Sequence, residues 1–285
     1  MIGNQYKGLH GLYKKIPFAK NIFYALKKKS VIQSADYLYN NHALFSSVQI
    51  ETINRCNGSC SFCPVNKNQP QRPYAKMTEE LFKKIVDDLA SIGYKDTLTL
   101  HCNNEPFLDD RIIEFAKYAR GKLPNAYISI WTNGSLLTVE KVKNIMPYLN
   151  DLTIDNYNDN LELNDPVKPI YELTKTDSDL NQRIRIALRK QNEVLYSRGG
   201  QAPNKGKVKS LNVPCLHLFR QMVIRPDGKV SLCCNDALGK YTLGDLNKQT
   251  VKEVWLSEQR DNIVKNMLKG RQYIELCKYC DTFTF

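Results

Sequence analysis

No apolar run in this chain approaches the ~18 residues that a membrane-spanning helix needs. The N-terminus carries charges but lacks the continuous apolar core of a secretory signal, so none is expected. Acidic residues are in deficit: 29 Asp and Glu stand against 41 Lys and Arg, for a formal charge of +12. That balance favours an anionic partner, whether a phosphate-bearing substrate, a nucleic acid or an acidic membrane surface. The basic residues are spread along the chain apart from a modest N-terminal cluster, and no RNA-recognition signature is present. No nucleic-acid partner is therefore expected. What the chain does have is length for a real core, at 285 residues, and nine cysteines that fall in motif groups rather than scattered pairs. Without an export signal, metal binding is the better reading of those cysteines than disulfides, and the expected location is the cytoplasm.

Residues 1–46 read as helical and basic. Leu12, Ile16, Ile22, Phe23 and Leu26 form apolar stripes interrupted at Pro17, beside Lys14, Lys15 and Lys27 to Lys29. A helix packed on the outside of the fold is preferred here over one lying on anionic lipid. Beyond this segment, strands and helices alternate. Ser47–Ile53 reads as a strand, and Thr78 caps a helix whose Leu81, Ile85, Leu89 and Ile92 share one face before Gly93 ends it. Thr97–Cys102, Ala126–Thr132, Asp151–Asp155 and Arg183–Arg189 are further strands. The intervening helices run from Asp110 to Arg120 (stopped by Gly121), from Thr138 to Pro147, and from Pro166 to Thr174 with Asp165 as cap. Strict β/α alternation argues for a parallel sheet wound right-handed into a partial barrel. After a Gly/Pro/Lys-rich connector the pattern changes. A hairpin over Met222–Leu232 turns near Asp227-Gly228, and helices follow from Thr250 to Leu256 and from Ser257 to Leu268.

The chain is organised around Cys56, Cys60 and Cys63, spaced C-x3-C-x2-C in the loop after the first strand. Ligand sites of α/β folds gather at that end of a strand. Thiolates suit zinc, copper(I) or iron–sulfur clusters. Three thiols without a fourth donor nearby fit a [4Fe–4S] cube with one iron open to a small molecule. A zinc loop, a redox loop and a disulfide are the alternatives. Cys215, Cys233, Cys277 and Cys280 supply four more thiols, enough to saturate a second cube whose binding contributes to local folding, with a zinc knuckle as the alternative.

The first motif resembles that of the radical SAM enzymes, C-x3-C-x-aromatic-C, with Phe62 at the aromatic position. The resemblance implies that S-adenosylmethionine chelates the open iron and is cleaved reductively to a 5′-deoxyadenosyl radical, which abstracts a substrate hydrogen. Asn103-Asn104-Glu105-Pro106 stands where the family usually has Gly-Gly-Glu-Pro, and Thr132-Asn133-Gly134 looks like its S/T-N-G turn. Asn104, Glu105, Thr132 and Asn133 are therefore expected, with Phe62, to contact S-adenosylmethionine. Asn at the two Gly positions tolerates positive φ better than most residues. The four later cysteines resemble the SPASM and shorter twitch extensions of that family. With no further cysteines after Cys280, one auxiliary cluster is expected.

The expected fold is thus α/β: a partial (β/α) radical SAM barrel over residues 47–200, after the 1–46 segment, with a small α+β auxiliary-cluster domain over 201–285. Arg183, Arg185 and Arg189 share a strand face by their even spacing, which lets Arg189 meet an anion. Arg198 opens a Gly-rich anion cradle, and Asp155 and Tyr157 stand where they can bond substrate hydroxyls. Cys102 and Cys234 are spare thiols and candidate hydrogen donors to a substrate radical. The implied function is dehydrogenation or epimerisation of an anionic, polyhydroxylated small molecule (a sugar, nucleotide sugar or aminocyclitol), with flavodoxin or ferredoxin as reductant. Maturation of a ribosomally made peptide is the alternative, and an iron–sulfur or zinc binding module a second.

Overall fold

The computed structural model describes residues 17–283, with side chains from residue 27 onward. Helix α1 spans Pro17–Asn40, so Pro17 opens the helix, as its preset φ and missing N–H favour. Leu12 and Ile16, and the side chains of Ile22, Phe23 and Leu26, lie outside the described residues. Further along α1, Val31 and Ala35 stand one turn apart and are buried in the core. Among the described residues no helix is long and apolar enough to cross a membrane.

Five parallel strands follow: β1 (Ser47–Ile50), β2 (Thr97–Thr99), β3 (Tyr127–Thr132), β4 (Asp151–Tyr157) and β5 (Ile184–Arg189). Each is paired in order with the next. Their connections carry α2 (Glu79–Ser91), α3 (Ile112–Lys122), α4 (Val139–Ile145), and the pair α5 (Lys168–Thr176) and α6 (Ser178–Arg183). One strand face is apolar: Val48, Ile50, Leu98, Ile128, Ile130, Leu152 and Ile154 are buried beneath the helices. On the other face Gln49, Thr99, Ser129, Trp131, Asp151 and Arg185 line a polar lumen. The period-two alternation of the strands thus separates core from site.

Local signals act as read at several ends. The Thr78 hydroxyl accepts the Leu81 N–H, and Leu81, Phe82, Ile85, Val86 and Leu89 of α2 are buried, with Phe82 stacked on Phe115 of α3 at 4.1 Å. Other boundaries differ. Helix α3 runs through Gly121 to Lys122, where Leu123 caps it, because the Gly121 site is unhindered and needs no left-handed turn. Asp165 does not cap α5: it pairs with Lys168, while Val167 holds the cap position and the Asn164 carbonyl accepts the Val167 and Lys168 N–H groups. Strands β1 and β2 end earlier than their apolar patterns suggest. Helix α6, capped by Asp177, occupies the stretch before β5, so Arg183 ends a helix instead of sharing the β5 face. Its guanidinium pairs with Asp179 and donates to the Met146 and Leu149 carbonyls, away from the lumen.

After a connector come α7 (His217–Arg220), β6 (Gln221–Ile224), β7 (Lys229–Ser231) and β8 (Gly244–Asp245). Then follow α8 (Val251–Trp255), with a reciprocal Thr250–Glu253 cap, and α9 (Glu258–Lys269). The hairpin turns at Gly228, whose φ is +79°. Strand β6 pairs parallel with β1 over Ser47–Ile50, so a single eight-stranded sheet runs β5-β4-β3-β2-β1-β6-β7-β8. The C-terminal elements are thereby fused to the barrel edge instead of tethered beside it.

Candidate active site

The loop after β1 carries the first three cysteines and is braced on both sides. The Asn66 amide donates to the carbonyls of Cys60 (2.9 Å) and Cys63 (2.8 Å). The Ser61 N–H donates to the Gln191 carbonyl beyond β5 at 2.9 Å. Cys56, Cys60 and Cys63 all face one cavity of about 440 Å³ at the C-terminal ends of the strands. Burial pushes the Cys56 and Cys60 thiols up to about 12. Such thiols become thiolates on binding a metal that replaces their protons.

Glu105 fixes the neighbouring wall. It is 1% exposed, and burial raises its pKa. Its Oε1 accepts from the Thr132 hydroxyl (2.7 Å) and the Phe107 N–H (3.1 Å), and its Oε2 accepts from the Asn133 N–H (2.8 Å). The Asn133 amide in turn donates to Asn57 Oδ1 within the cysteine loop, at 2.8 Å. The turn needs glycine at 134: φ is +76°, and a Cβ there would stand 2.7 Å from Ile154. Neither Asn103 nor Asn104 adopts positive φ, so the replacement of two glycines leaves ordinary backbone. Asn104 Nδ2 is buried without a hydrogen-bond partner, a donor matched to an acceptor on a ligand.

Asp155, Tyr157 and Arg189 close the side at β4 and β5. Arg189 lies 3.4 Å from Asp155 and 2.6 Å from Glu193, and over the rings of Phe62 and Tyr157. Burial raises the Asp155 and Tyr157 pKa values. Across the cavity, Arg198 donates to Asn103 Oδ1. The Asn103 amide donates to Cys102 Sγ (3.2 Å) and to the Cys234 carbonyl (3.1 Å), so both spare thiols stand at the cavity wall. Burial pushes both thiols up. Cys234 Sγ lies 3.9 Å from His217 Nε2.

Behind this wall Cys215, Cys233, Cys277 and Cys280 are all buried. The fully buried Arg271 guanidinium knits their segments together, donating to the carbonyls of Val213 (2.8 Å) and Cys280 (3.0 Å). All nine cysteines are free. Among the described residues no three Cys, His, Asp or Glu side chains converge as a single metal ion would require. A cube, with one iron per thiolate, accepts a wider set. Three loop thiols beside an orphaned donor, and four buried thiols beside a buried cation, therefore fit the two groups that the motifs imply.

The sequence-expected residues Phe62, Cys102, Asn104, Glu105, Thr132, Asn133, Asp155, Tyr157, Arg189, Arg198 and Cys234 all line this one cavity. Sequence reasoning missed His101, Trp131, His217, Gln221 and Asn235. His101 and Trp131 stack at 5.7 Å and floor the cavity; burial holds His101 neutral, with its pKa lowered to about 3. The alternation of β3 placed Trp131 in the lumen, and that was the available signal. His217, Gln221 and Asn235 reach the cavity through the β1–β6 pairing, which no local pattern announces.

Two family models match the chain: the radical SAM superfamily over residues 50–191 and SPASM, an iron–sulfur cluster-binding domain, over 215–281. An S-adenosyl-L-methionine-dependent 2-deoxy-scyllo-inosamine dehydrogenase from Niallia circulans is 24% identical over 241 residues, covering 84% of this chain and 93% of that protein. The crystal structure of BtrN in complex with AdoMet and 2-DOIA superposes with a TM-score of 0.73 at 22% identity, covering 84% of this chain and 94% of that one. Native anSMEcpe with bound AdoMet superposes at 0.53 with 17% identity, over 82% of this chain and 89% of that one. These superpositions carry the fold. With both domains matched in the expected order, the chain belongs to the radical SAM superfamily, bears a C-terminal SPASM domain, and uses S-adenosylmethionine and iron–sulfur clusters as its cofactors.

Proposed function

We propose that this protein dehydrogenates a carbinol of a polyhydroxylated small molecule: a sugar, nucleotide sugar or aminocyclitol. The observation that carries the reading is a single cavity bordered on one side by the Cys56–Cys63 loop and on the other by Cys234 and Asn235, next to Cys233. The relative that acts on 2-deoxy-scyllo-inosamine supports the same class. When bound, S-adenosylmethionine and its cluster supply a hydrogen-abstracting 5′-deoxyadenosyl radical, and the auxiliary cluster supplies an acceptor for one electron. The net change in the substrate is loss of the carbinol hydrogen and of the hydroxyl proton, giving a ketone.

In this reading Cys56, Cys60 and Cys63 hold the first cluster, and Cys215, Cys233, Cys277 and Cys280 the second. Asn104, Glu105, Thr132 and Asn133 hold the amino-acid end of S-adenosylmethionine, with Phe62 packed beside it. Asp155, Tyr157, Arg189 and Arg198 offer hydrogen bonds to the substrate. The reductant is a flavodoxin or ferredoxin, and the setting is the cytoplasm, which keeps thiols reduced. The test is turnover of C-deuterated polyols by the reconstituted, dithionite-reduced enzyme. Deuterium in 5′-deoxyadenosine together with a ketone product is expected; no deuterium transfer across a broad panel would sink the proposal.

A second reading rests on Cys102 and Cys234 at the cavity wall: hydrogen return from a thiol to the opposite face would give epimerisation. Turnover in D2O separates the two, because epimerisation leaves one solvent deuterium at the inverted carbon and is lost in Cys234→Ala or Cys102→Ala.

A further inference from the structure

The charged side chains lining the cavity are unequally partnered. Two are carboxylates, Glu105 and Asp155. Glu105 accepts from Thr132, Phe107 and Asn133. Asp155 stands on the wall of the first cysteine loop, facing Arg189 at 3.4 Å and the Tyr157 hydroxyl at 3.5 Å. The two guanidiniums differ. Arg189 has Asp155 and Glu193, whereas Arg198 meets the neutral Asn103 amide and, among the described residues, forms no ion pair. The carboxylates behind that wall are engaged elsewhere. Glu51 binds Arg72 at 2.8 Å and the Asn103 N–H at 2.7 Å, and Asp281 binds Lys205 at 2.6 Å and the Ser197 N–H at 2.8 Å.

Arg198 is held in place at a cost. Its φ is +49°, followed by +64° at Gly199 and +81° at Gly200. A left-handed backbone at a residue with a side chain costs ~1–2 kcal/mol. The conformation is imposed from outside. The Ser197 hydroxyl donates to the Tyr279 carbonyl at 2.6 Å, and Gly199 is pressed so closely on Leu276 that a Cβ would meet it at 2.6 Å. The segment that ends in Cys277 and Cys280 therefore points one fixed cation, lacking a counter-ion among the described residues, at the side of the cavity next to Cys234. Such outliers persist where the surrounding structure over-determines them, and functional sites are where they cluster.

We propose that the substrate is acidic, a polyol bearing a carboxylate or a phosphate, and that Arg198 receives this group. The guanidinium fork matches either anion with two parallel hydrogen bonds. A protonated amine on this wall would find no free carboxylate and would face a like charge. The inference rests on the reading of the cavity as a polyol site, and it narrows that class away from the inosamine named for the relative.

The test uses the reconstituted holoenzyme with matched cyclitols and hexoses that carry a carboxylate, a phosphate, a hydroxyl or an amine at one position. Substrate-dependent 5′-deoxyadenosine and product are followed. Acidic members are expected to be used best, and the carboxylate and phosphate arms show which anion fits. Arg198→Gln raises KM for the acidic members about 10- to 100-fold, the scale of lost charge-assisted hydrogen bonds. Arg198→Lys restores part of the loss, and neutral members, which have no ion pair to lose, rise less than the acidic ones. Iron content and S-adenosylmethionine affinity, measured alongside, report that both variants fold. Preference for an amine or neutral member, loss of amine use in Asp155→Asn, or an equal rise in KM for every member in Arg198→Gln overturns the proposal while leaving dehydrogenation standing. Failure of every member, whatever its charge, removes the polyol reading itself.

Discussion

Replacing Glu105 by Gln would exchange one acceptor for a donor inside a wall that has no slack. Glu105 is 1% exposed, and its two oxygens take three hydrogens, from Thr132, Phe107 and Asn133. If the amide oxygen of Gln keeps Thr132 and Phe107, its NH2 group faces the Asn133 N–H across the former 2.8 Å contact. One charge-assisted bond is lost, worth ~1.5–3 kcal/mol, and a buried N–H is left unsatisfied at a further ~1–3 kcal/mol. The reverse orientation sets the NH2 against the Phe107 N–H, so flipping gives no escape. Relaxation will recover part of this by moving the Asn133-Gly134 turn, which also carries the Asn133–Asn57 link to the cysteine loop. We expect a net cost of about 2–4 kcal/mol, divided between stability and cofactor binding. S-adenosylmethionine affinity, measured by anaerobic equilibrium dialysis, should fall about 10- to 100-fold, since each 1.4 kcal/mol is tenfold. Iron content should be unchanged, because no thiol is touched. An affinity within twofold of wild type would refute the claim that this carboxylate organises the cofactor wall.

Three further outcomes follow from the same structure. Gly134→Ala forces a left-handed alanine against Ile154 and Val167, and should cost about 2–4 kcal/mol. At about 2–4 °C per kcal/mol for a large domain, a fall of several degrees or more in melting temperature is expected, and an unchanged melting curve would contradict the packing. Cys277→Ala should lower bound iron from about eight atoms to about four and loosen the C-terminal segment to proteolysis, while S-adenosylmethionine still binds; full iron retention would place the second cluster elsewhere. Burial lowers the His101 pKa from 6.5 to about 3, so between those values the unfolded chain binds a proton that the native protein does not. Stability therefore declines as pH falls below 6.5, by at most ~1.4 kcal/mol per pH unit from this group. His101→Asn, which keeps an acceptor for the Trp131 N–H, should flatten that slope between pH 7.5 and 5, within ~1.4 kcal/mol per unit; identical slopes would show that His101 titrates normally.

Helix starts at Thr78, Thr250 and Ser257 were readable because a cap is made by a side chain two or three residues from the N–H that it satisfies. Where two local signals compete, the sequence is less decisive. Asp165 has the composition of a cap, yet Lys168 takes its carboxylate, and Gly121 can end a helix but here is simply tolerated within one. The apolar alternation of the five parallel strands was legible, and with it the shared face of Arg185 and Arg189, which the structure turns towards the lumen. Arg183 was misplaced because a short helix ends where the strand pattern begins.

The sequence by itself determined the chemistry that this chain can support. Thiol spacing within a loop narrows which metal groups can be held, and β/α alternation gathers the site loops at the C-terminal ends of the strands. Both are short-range properties written in consecutive residues. Tertiary structure alone decided which distant side chains meet at the cavity. The pairing of β6 with β1 brings His217, Gln221 and Asn235 to the barrel mouth, and the C-terminal segment bends the Arg198 backbone into a conformation that arginine does not choose on its own. Contacts between residues far apart in the chain carry no local signature, because their free energy comes from surfaces that meet only after the sheet has closed.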